Sequence, residues 1–459
     1  MAGVSVTQVQ LDELVEALGA DCVVLEEASK EAYRFDWCRS PAGMPCAVAR
    51  PRTAAQVQEA VRWAARHGIP VVPRGAGSGL AGASAAVDGG LTLSLDRMTA
   101  VEVDPATRTV TAEPGAFNAD VKRAAAEHGL FYPPDPSSFE ICSIGGNIAT
   151  NAGGLCCVKY GVTTDYVLGL DVVLADGRLV SLGGRRVKDV AGLPLLKLFV
   201  GSEGTLGVVT KVILRLVPTP PPAATLVAMF PSPRAAAEAV VEMGRTIRAS
   251  MVEFMDRRAI NVVEDFLPMG LDRAAGGLLI VQSDAPGSTR EEEMERIEAI
   301  CVGRGASECY RTDDPAEGEA FLAARRAFFP ATEALGSLLV EDVGVPVPLL
   351  PDLLDGIAAI AVRHDTDIPV VAHAGDGNTH PNLIFDGTDP LARERAEAAF
   401  AEIMQLAIDL GGTITGEHGV GRVKRGSLAA QLGPDVMELT HAVKAALDPQ
   451  GILNPGAAI

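Results

Sequence analysis

From residue 46 onwards the apolar positions fall into short runs separated by turn residues. CAVARP (46–51) is an apolar run closed by proline and predicts a strand. Thr53 then caps a helix, with Gln56 three residues on at the spacing of a capping box. Val57, Val61 and Ala64 carry the apolar face of that helix, and Gly68 ends it. IPVVPR (69–74) predicts a buried strand. Short strands dominate after it: LTLSL (91–95), VEVD (101–104), RTVTAE (108–113), DVVLAD (171–176) and GVVTKVILRLV (207–217). Residues 10–30 mix a helical period with a short Val-rich piece and read as an N-terminal lead-in.

The cluster PTPPPAA (218–224) is the best linker in the chain. Beyond it strands and helices alternate: LVAMF, a helix from 232, MVEFM, a helix from 257, GLLIVQ and a charged helix near 290–300. A further helix is expected near 391–410 and a last one at about 434–447, ending in DPQGILNPG. This predicts a second α+β domain, and 459 residues suit two domains better than one core. No internal repeat is visible. The run REEEMERIE (290–298) is a solvated helix face.

Composition narrows the partners. The chain is 48% hydrophobic and 21% charged, with a formal net charge of −20. Such a surface repels nucleic acid and anionic lipid, and an anionic substrate would need a local positive site. No apolar run reaches the length of a membrane-spanning helix. The opening MAGVSVTQVQLDELVEALG lacks the basic end and apolar stretch of a signal peptide, so a cytoplasmic protein is expected. The eight cysteines show no CxxC spacing. Small buried apolar residues are therefore expected, not an iron–sulfur cluster.

Three glycine-rich stretches follow. In RGAGSGLAG (74–82), Gly77, Gly79 and Gly82 satisfy G-x-G-x-x-G after a strand. A dinucleotide fold would need the third glycine to open a helix, yet only eight residues separate Gly82 from LTLSL. No crossover helix fits there, so no parallel βαβ unit is expected. The loop instead offers an anion nest, a diphosphate cradle in a different fold; an ordinary glycine turn is the alternative for this segment alone. PPDPSSFEICSIGGNIATNAGGLCCVKYG (133–161) would let backbone lie flat against a large planar ligand. GSEGTLGVVT (201–210) leads into a strand. Together they suggest a long, folded cofactor.

HAGDGNTH (373–380) and GEHGVG (416–421) bring His373, His380, Glu417 and His418 into glycine turns. Two neutral imidazoles and one carboxylate suit a divalent transition metal with a coordination position left for substrate. His418 would then be available to move a proton, or alternatively to orient Glu417.

These six segments, PRGAGSG, IGGNIATNAGG, GSEGTLGVVT, HAGDGNTH, GEHGVG and LDPQGILNPG, resemble in that order the FAD-linked oxidases of the vanillyl-alcohol oxidase superfamily, with its PCMH-type FAD-binding domain. The resemblance runs from about residue 40 to 456 and is greatest to the D-2-hydroxyacid dehydrogenase branch: D-lactate dehydrogenases, the flavin subunit of glycolate oxidase and D-2-hydroxyglutarate dehydrogenase. It implies an α+β fold: an FAD-binding domain of two α+β subdomains (1–220), a substrate-bearing α+β cap with an antiparallel sheet (221–415), and a C-terminal segment (416–459) returning to the first domain. By carry-over, Arg74, Gly75, Ala76, Gly77, Ser78 and Gly79 would bind the pyrophosphate. Ser143, Gly145, Gly146, Asn147, Thr150 and Gly153 would line the flavin. Glu203, Gly204 and Val209 would lie towards the adenosine, and Asn454 would reach back to the flavin. The first glycine loop has no histidine and residue 80 is Leu, so noncovalent FAD is expected.

The same resemblance makes His373, His380 and Glu417 ligands of a zinc-like ion and His418 the base for a 2-hydroxyacid whose hydride passes to the flavin. Arg325 in AARRAFFPA (323–331) would grip the substrate carboxylate, with Arg326 as the alternative register. Asn382 is a further substrate-binding candidate. Dicarboxylate-specific relatives carry a lysine where this chain reads SLLVEDVGVP (337–346), with Val340 or Glu341 at the place in question. Glycolate, lactate or a larger apolar 2-hydroxyacid is therefore expected. The electron acceptor stays open among cytochrome, quinone, electron-transfer flavoprotein and oxygen, and a homodimer or partner subunits are both compatible. Two other functions remain: a metal hydrolase using His373, His380 and Glu417, and a noncatalytic subunit of a larger oxidase.

Overall fold

A computed structural model describes residues 6–39 and 42–459; residues 1–5, the start of the opening segment read above for a signal peptide, lie outside the described residues. The chain divides into two compact units. Met1–Ala152, Val162–Thr219 and Glu417–Ile459 form the first, Gly153–Gly161 and Pro220–Gly416 the second. Both mix helices with sheets, so the expected α+β class holds.

The first unit contains a four-stranded sheet in the order Val23–Val24, Ala47–Ala49, Leu91–Ser94, Val71–Arg74. Helix Ala54–His67 packs in its core. It starts at Thr53, whose side chain accepts from Gln56 N, and it stops at the left-handed Gly68. Trp63 is fully buried and its indole N–H donates to Gln10 O at 2.8 Å. No crossover helix follows the first glycine loop, as expected. Val71–Arg74 and Leu91–Ser94 do pair in parallel, without a crossover helix: the loop 75–90 makes the return alone. A parallel return needs about a dozen residues of chain, and a helix is only the usual way to supply them.

A five-stranded antiparallel sheet completes this unit, in the order Val101–Asp104, Thr109–Ala112, Val208–Arg215, Val167–Val173, Leu179–Gly183. Val208, Thr210, Val212 and Leu214 point inward and their neighbours outward, the alternation of a half-buried strand. The chain's end returns to the first sheet. Val71 N donates to Ile452 O and Asn454 N to Val71 O, both at 2.7 Å, and Leu453 is buried in the core.

The second unit is built on one antiparallel sheet of eight strands, ordered Glu308–Thr312, Ala224–Phe230, Gly277–Ser283, Met251–Asp256, Val370–His373, Asn378–Phe385, Ser337–Val340, with Val343–Gly344 also paired to Asn378–Phe385. Helices Arg257–Phe266 and Pro315–Glu333 pack together, and their apolar residues meet Met255, Leu278, Ile280 and Val371 of the sheet. Helices Pro233–Met243, Leu350–Arg363 and Pro390–Asp409 form a separate packed row. The last helix, Arg425–Leu447, belongs to the first unit and breaks at Gly433, before Pro434, where the expected helix begins. Among the described residues no helix is long and apolar enough to cross a membrane.

The returning tail leaves no room at one glycine. Gly421 has φ +52°, and a Cβ there would lie 1.8 Å from Ala81 O, a backbone atom that cannot swing aside. Gly421→Ala should cost on the order of 3 kcal/mol, from left-handed strain plus overpacking. Thermal unfolding of the variant tests this; an unchanged midpoint would show that the tail can move off Ala81.

Candidate active site

Sheet register gathers the polar groups of the second unit. In the hairpin Val370–His373/Asn378–Phe385, His373 faces Asn378 and Val371 faces His380. His373 and His380 are thus diagonal neighbours on one face of the sheet. Their rings meet edge-on with centroids 4.9 Å apart. The next strand pairs Glu253 directly with His373. Residues 378, 380 and 382 alternate onto this same face. The face that is apolar at Met255 and Val371 therefore becomes a row of buried polar groups: Glu253, His373, Asn378, His380 and Asn382. Burying such groups costs stability unless each is partnered, so the row needs an account.

The partners are specific. Glu253 is fully buried; its Oε1 lies 2.7 Å from His373 Nδ1, and its Oε2 meets Arg325 Nε at 2.8 Å. The second contact is an ion pair rather than an aligned hydrogen bond, because the N–H points off the oxygen. Arg325 comes from helix Pro315–Glu333 and is only 6% exposed. Its Nη1 and Nη2 donate to no described residue. Arg326, the other register, turns outward to Glu319. Asn382 donates from Nδ2 to Thr332 Oγ1 at 2.9 Å, leaving its buried Oδ1 with no donor among the described residues.

Asp342 organises the other end of the row. It is fully buried; Asn378 Nδ2 donates to its Oδ1 at 2.9 Å and Thr415 Oγ1 to its Oδ2 at 2.6 Å. His380 Nδ1 lies 3.7 Å from the same carboxylate. Gly416 N donates to Asp342 O at 2.9 Å, so the chain is clamped one residue before Glu417. Sequence reasoning missed both Glu253 and Asp342. Glu253 lies in the apolar run MVEFM, where a lone acid inside a buried strand is itself the signal. Asp342 sits in a segment read only for a missing lysine.

The donor set fits a divalent first-row metal. With Nδ1 of His373 on a carboxylate, Nε2 is the nitrogen that would meet a metal, the usual arrangement around zinc. Glu417 and His418 follow Gly416 at the start of the last segment of the first unit, with Glu417 Oε1 3.8 Å from His418 Nε2.

In the first unit, two of the expected cofactor loops meet. The stretch expected to lie flat forms a short helix, Ile144–Thr150, capped by Ser143. Small residues allow either form, but the Ser143 side chain satisfies the first turn. Its Oγ accepts from Gly146 N at 3.3 Å and from Ala76 N at 3.1 Å. A Cβ on Gly75 would sit 2.2 Å from this oxygen, so Gly75 is needed for the approach. The N–H groups of Gly77, Ser78 and Gly79 donate to no described residue, as an anion cradle requires. Arg74 supports the loop from behind: its Nη1 donates to Phe35 O at 2.9 Å. Asn147 Oδ1 accepts from Asn118 Nδ2 at 3.0 Å, and Thr150 Oγ1 donates to Gly146 O at 3.3 Å. Gly145 packs on Pro114 and Gly204 on Pro73. Val209 lies in strand Val208–Arg215, and Gly153 opens the piece that folds with the second unit.

Glu203 has work of its own. Its carboxylate accepts from Val420 N and Gly421 N, each at 2.8 Å, and its carbonyl accepts from Asn454 Nδ2 at 2.7 Å. It therefore ties the end of GEHGVG and the returning tail together.

Known proteins place this architecture. Residues 45–183 match the family described as FAD binding domain, and residues 219–458 match FAD linked oxidases, C-terminal domain. The chain belongs to the FAD-linked oxidases and is an FAD-linked oxidoreductase of the glycolate oxidase and D-lactate dehydrogenase type. It is 41% identical to the glycolate oxidase subunit GlcD of Bacillus subtilis, covering 97% of this chain and 95% of that one. To the D-lactate dehydrogenase of Archaeoglobus fulgidus it is 34% identical, covering 94% and 96%. The structure of p-cresol methylhydroxylase superposes with a TM-score of 0.84 over 99% of this chain and 98% of that one. At 18% identity that likeness shows the fold: the PCMH type.

Burial pushes the Glu203 carboxyl up to about 7, against the pull of the two N–H groups, Arg422 and Lys424. An unfolded glutamate titrates near ~4.3, so between these values the folded chain holds a proton that the unfolded chain has released. Stability from this group is complete below the ordinary carboxylate range and is lost as pH rises through about 7. Glu203→Gln removes the titration. From pH ~5 to ~8 the wild-type unfolding midpoint should fall relative to the variant's; parallel profiles would mean that Glu203 stays ionised when buried.

Proposed function

We propose that this chain oxidises a small D-2-hydroxyacid, D-lactate or glycolate, to the 2-oxoacid, with noncovalent FAD and a zinc-like ion held by His373, His380 and Glu417. When bound, FAD supplies the acceptor for the C2 hydride, and the ion lowers the pKa of the substrate hydroxyl. The observation that carries the reading is Arg325. A guanidinium this deeply buried, with Nη1 and Nη2 unpartnered and with Glu253 shared with His373, suits a carboxylate taken bidentately. Held at Nε by Glu253, Arg325 presents those two nitrogens as its fork.

The remaining roles belong to the same proposal. His418 takes the hydroxyl proton, since an imidazole titrates near neutral pH. Asn382 Oδ1 offers an acceptor to a substrate group. Residues 1–220 serve FAD, with the nest of Gly77, Ser78 and Gly79 taking the pyrophosphate. Residues 221–415 carry the substrate, and 416–459 return to the first domain. Val340 or Glu341 stands where dicarboxylate-specific relatives would carry a lysine, which favours a monocarboxylate. The GlcD relatives are named as subunits, and we extend that to this chain: partner subunits would take its electrons in the cytoplasm.

Purified protein should show flavin absorption near ~450 nm that anaerobic D-lactate or glycolate bleaches. Chelation should abolish the bleaching, and Zn²⁺ should restore it. His418→Ala should keep FAD and slow bleaching by about 10²–10⁴-fold, the usual worth of a general base. Bleaching at the wild-type rate in that variant removes His418 as base. Failure of every 2-hydroxyacid to bleach bound FAD removes the whole reading.

A further inference from the structure

Two groups with different proposed tasks lean on one carboxylate. Glu253 has no solvent exposure, so its charge must be answered by protein. Its two oxygens are divided: Oε1 to the His373 imidazole at 2.7 Å, Oε2 to the Arg325 guanidinium at 2.8 Å. Sheet register and helix packing supply one partner each. Glu253 faces His373 as a direct cross-strand partner, while helix Pro315–Glu333 lowers Arg325 onto the same face.

Each contact selects which atoms its partner can offer. Bonding at Nδ1 fixes the imidazole orientation and assigns Nε2 to ligation. The charge contact beside Nε occupies that side of the guanidinium and leaves Nη1 and Nη2 as a parallel pair, the geometry that matches a carboxylate. A carboxylate serving only as counter-charge to Arg325 would not need His373 on its other oxygen.

We propose that Glu253 is a shared positioning residue, which sets both the imidazole presented to the metal and the guanidinium fork presented to the substrate carboxylate. This rests on the reading given above for His373 and Arg325. Glu253 touches neither substrate nor cofactor; it acts through these two side chains.

The test needs no turnover. Zn²⁺ affinity is measured on the FAD-loaded protein by competition with a chromophoric chelator. Carboxylate binding is measured on the zinc-free, FAD-loaded protein with oxalate, followed by the flavin spectrum. Glu253→Gln offers one acceptor to two donors and removes the charge from both. It should weaken Zn²⁺ binding by about 10–100-fold, as loss of a ligand-orienting partner does, and weaken oxalate binding by at least about fivefold. Arg325→Met should weaken oxalate alone. Should Glu253→Gln not fold, Glu253→Asp keeps the charge but withdraws it by one methylene, and the same two losses are expected.

Folded Glu253→Gln with both affinities within about threefold of wild type overturns the proposal. Loss of one affinity alone also overturns it, because Glu253 then serves a single partner. Wild-type protein that binds neither Zn²⁺ nor oxalate removes the functional reading, and this inference with it.

Discussion

The contact between Glu253 and its two donors governs what the second unit can be. A carboxylate without water is costly, on the order of several kcal/mol, unless its partners are well placed. Here the placing comes from backbone register, which does not relax. A one-residue slip of Val370–His373 would turn His373, with Val371, away from the face that carries Glu253 and Met255. The apolar positions Met255 and Val371 therefore do more than fill a core. They hold the register that puts the polar row inside.

The first unit solves a different problem with the same economy. Its glycine loop must expose N–H groups, and exposed loop backbone is soft unless something behind it is fixed. Ser143 Oγ on Ala76 N, the Arg74 guanidinium on Phe35 O and the strand contact of the tail at Val71 supply that backing. Glu203 extends the backing to Val420 and Gly421. Arg74 and Glu203 thus carry structural duty, whatever part they take in holding a cofactor. Arg422 joins them, donating to Gly82 O, Ala83 O and Asn454 Oδ1.

Much of this was legible in the residues. Strand alternation, the Thr53 cap, the proline linker and the ordered glycine motifs each have local causes, and local causes can be read from short windows. The two histidines were legible because HAGDGNTH puts them at the ends of one tight hairpin. Glu253 and Asp342 were not, since their meaning comes from strands far away in sequence: Glu253 gains His373 only through sheet pairing, and Asp342 gains Asn378 and Thr415 only through tertiary folding. The lack of a crossover helix in 75–90 was legible from the length of the loop, whereas the parallel pairing of its flanking strands came only with the sheet. The helix at Ile144–Thr150 was hidden because glycines leave the backbone choice to a distant partner, and Ser143 makes that choice.

Charge also bears on the site. Glu253, Glu341 and Asp342 are fully buried carboxylates, and Arg325 is the buried guanidinium among them. Their formal sum is −2 (three negative, one positive) before any ligand arrives. An anionic substrate added to that sum would face repulsion strengthened by the low local dielectric. Arg325 is already half-spent on Glu253, so it cannot alone turn the balance. A divalent cation on the proposed ligands His373, His380 and Glu417 would offset part of that charge. A metal, if held there as proposed, would serve substrate charge as well as hydroxyl activation. On a protein of net charge −20, such a cation would add to the pull of Arg325 on a small hydroxyacid anion.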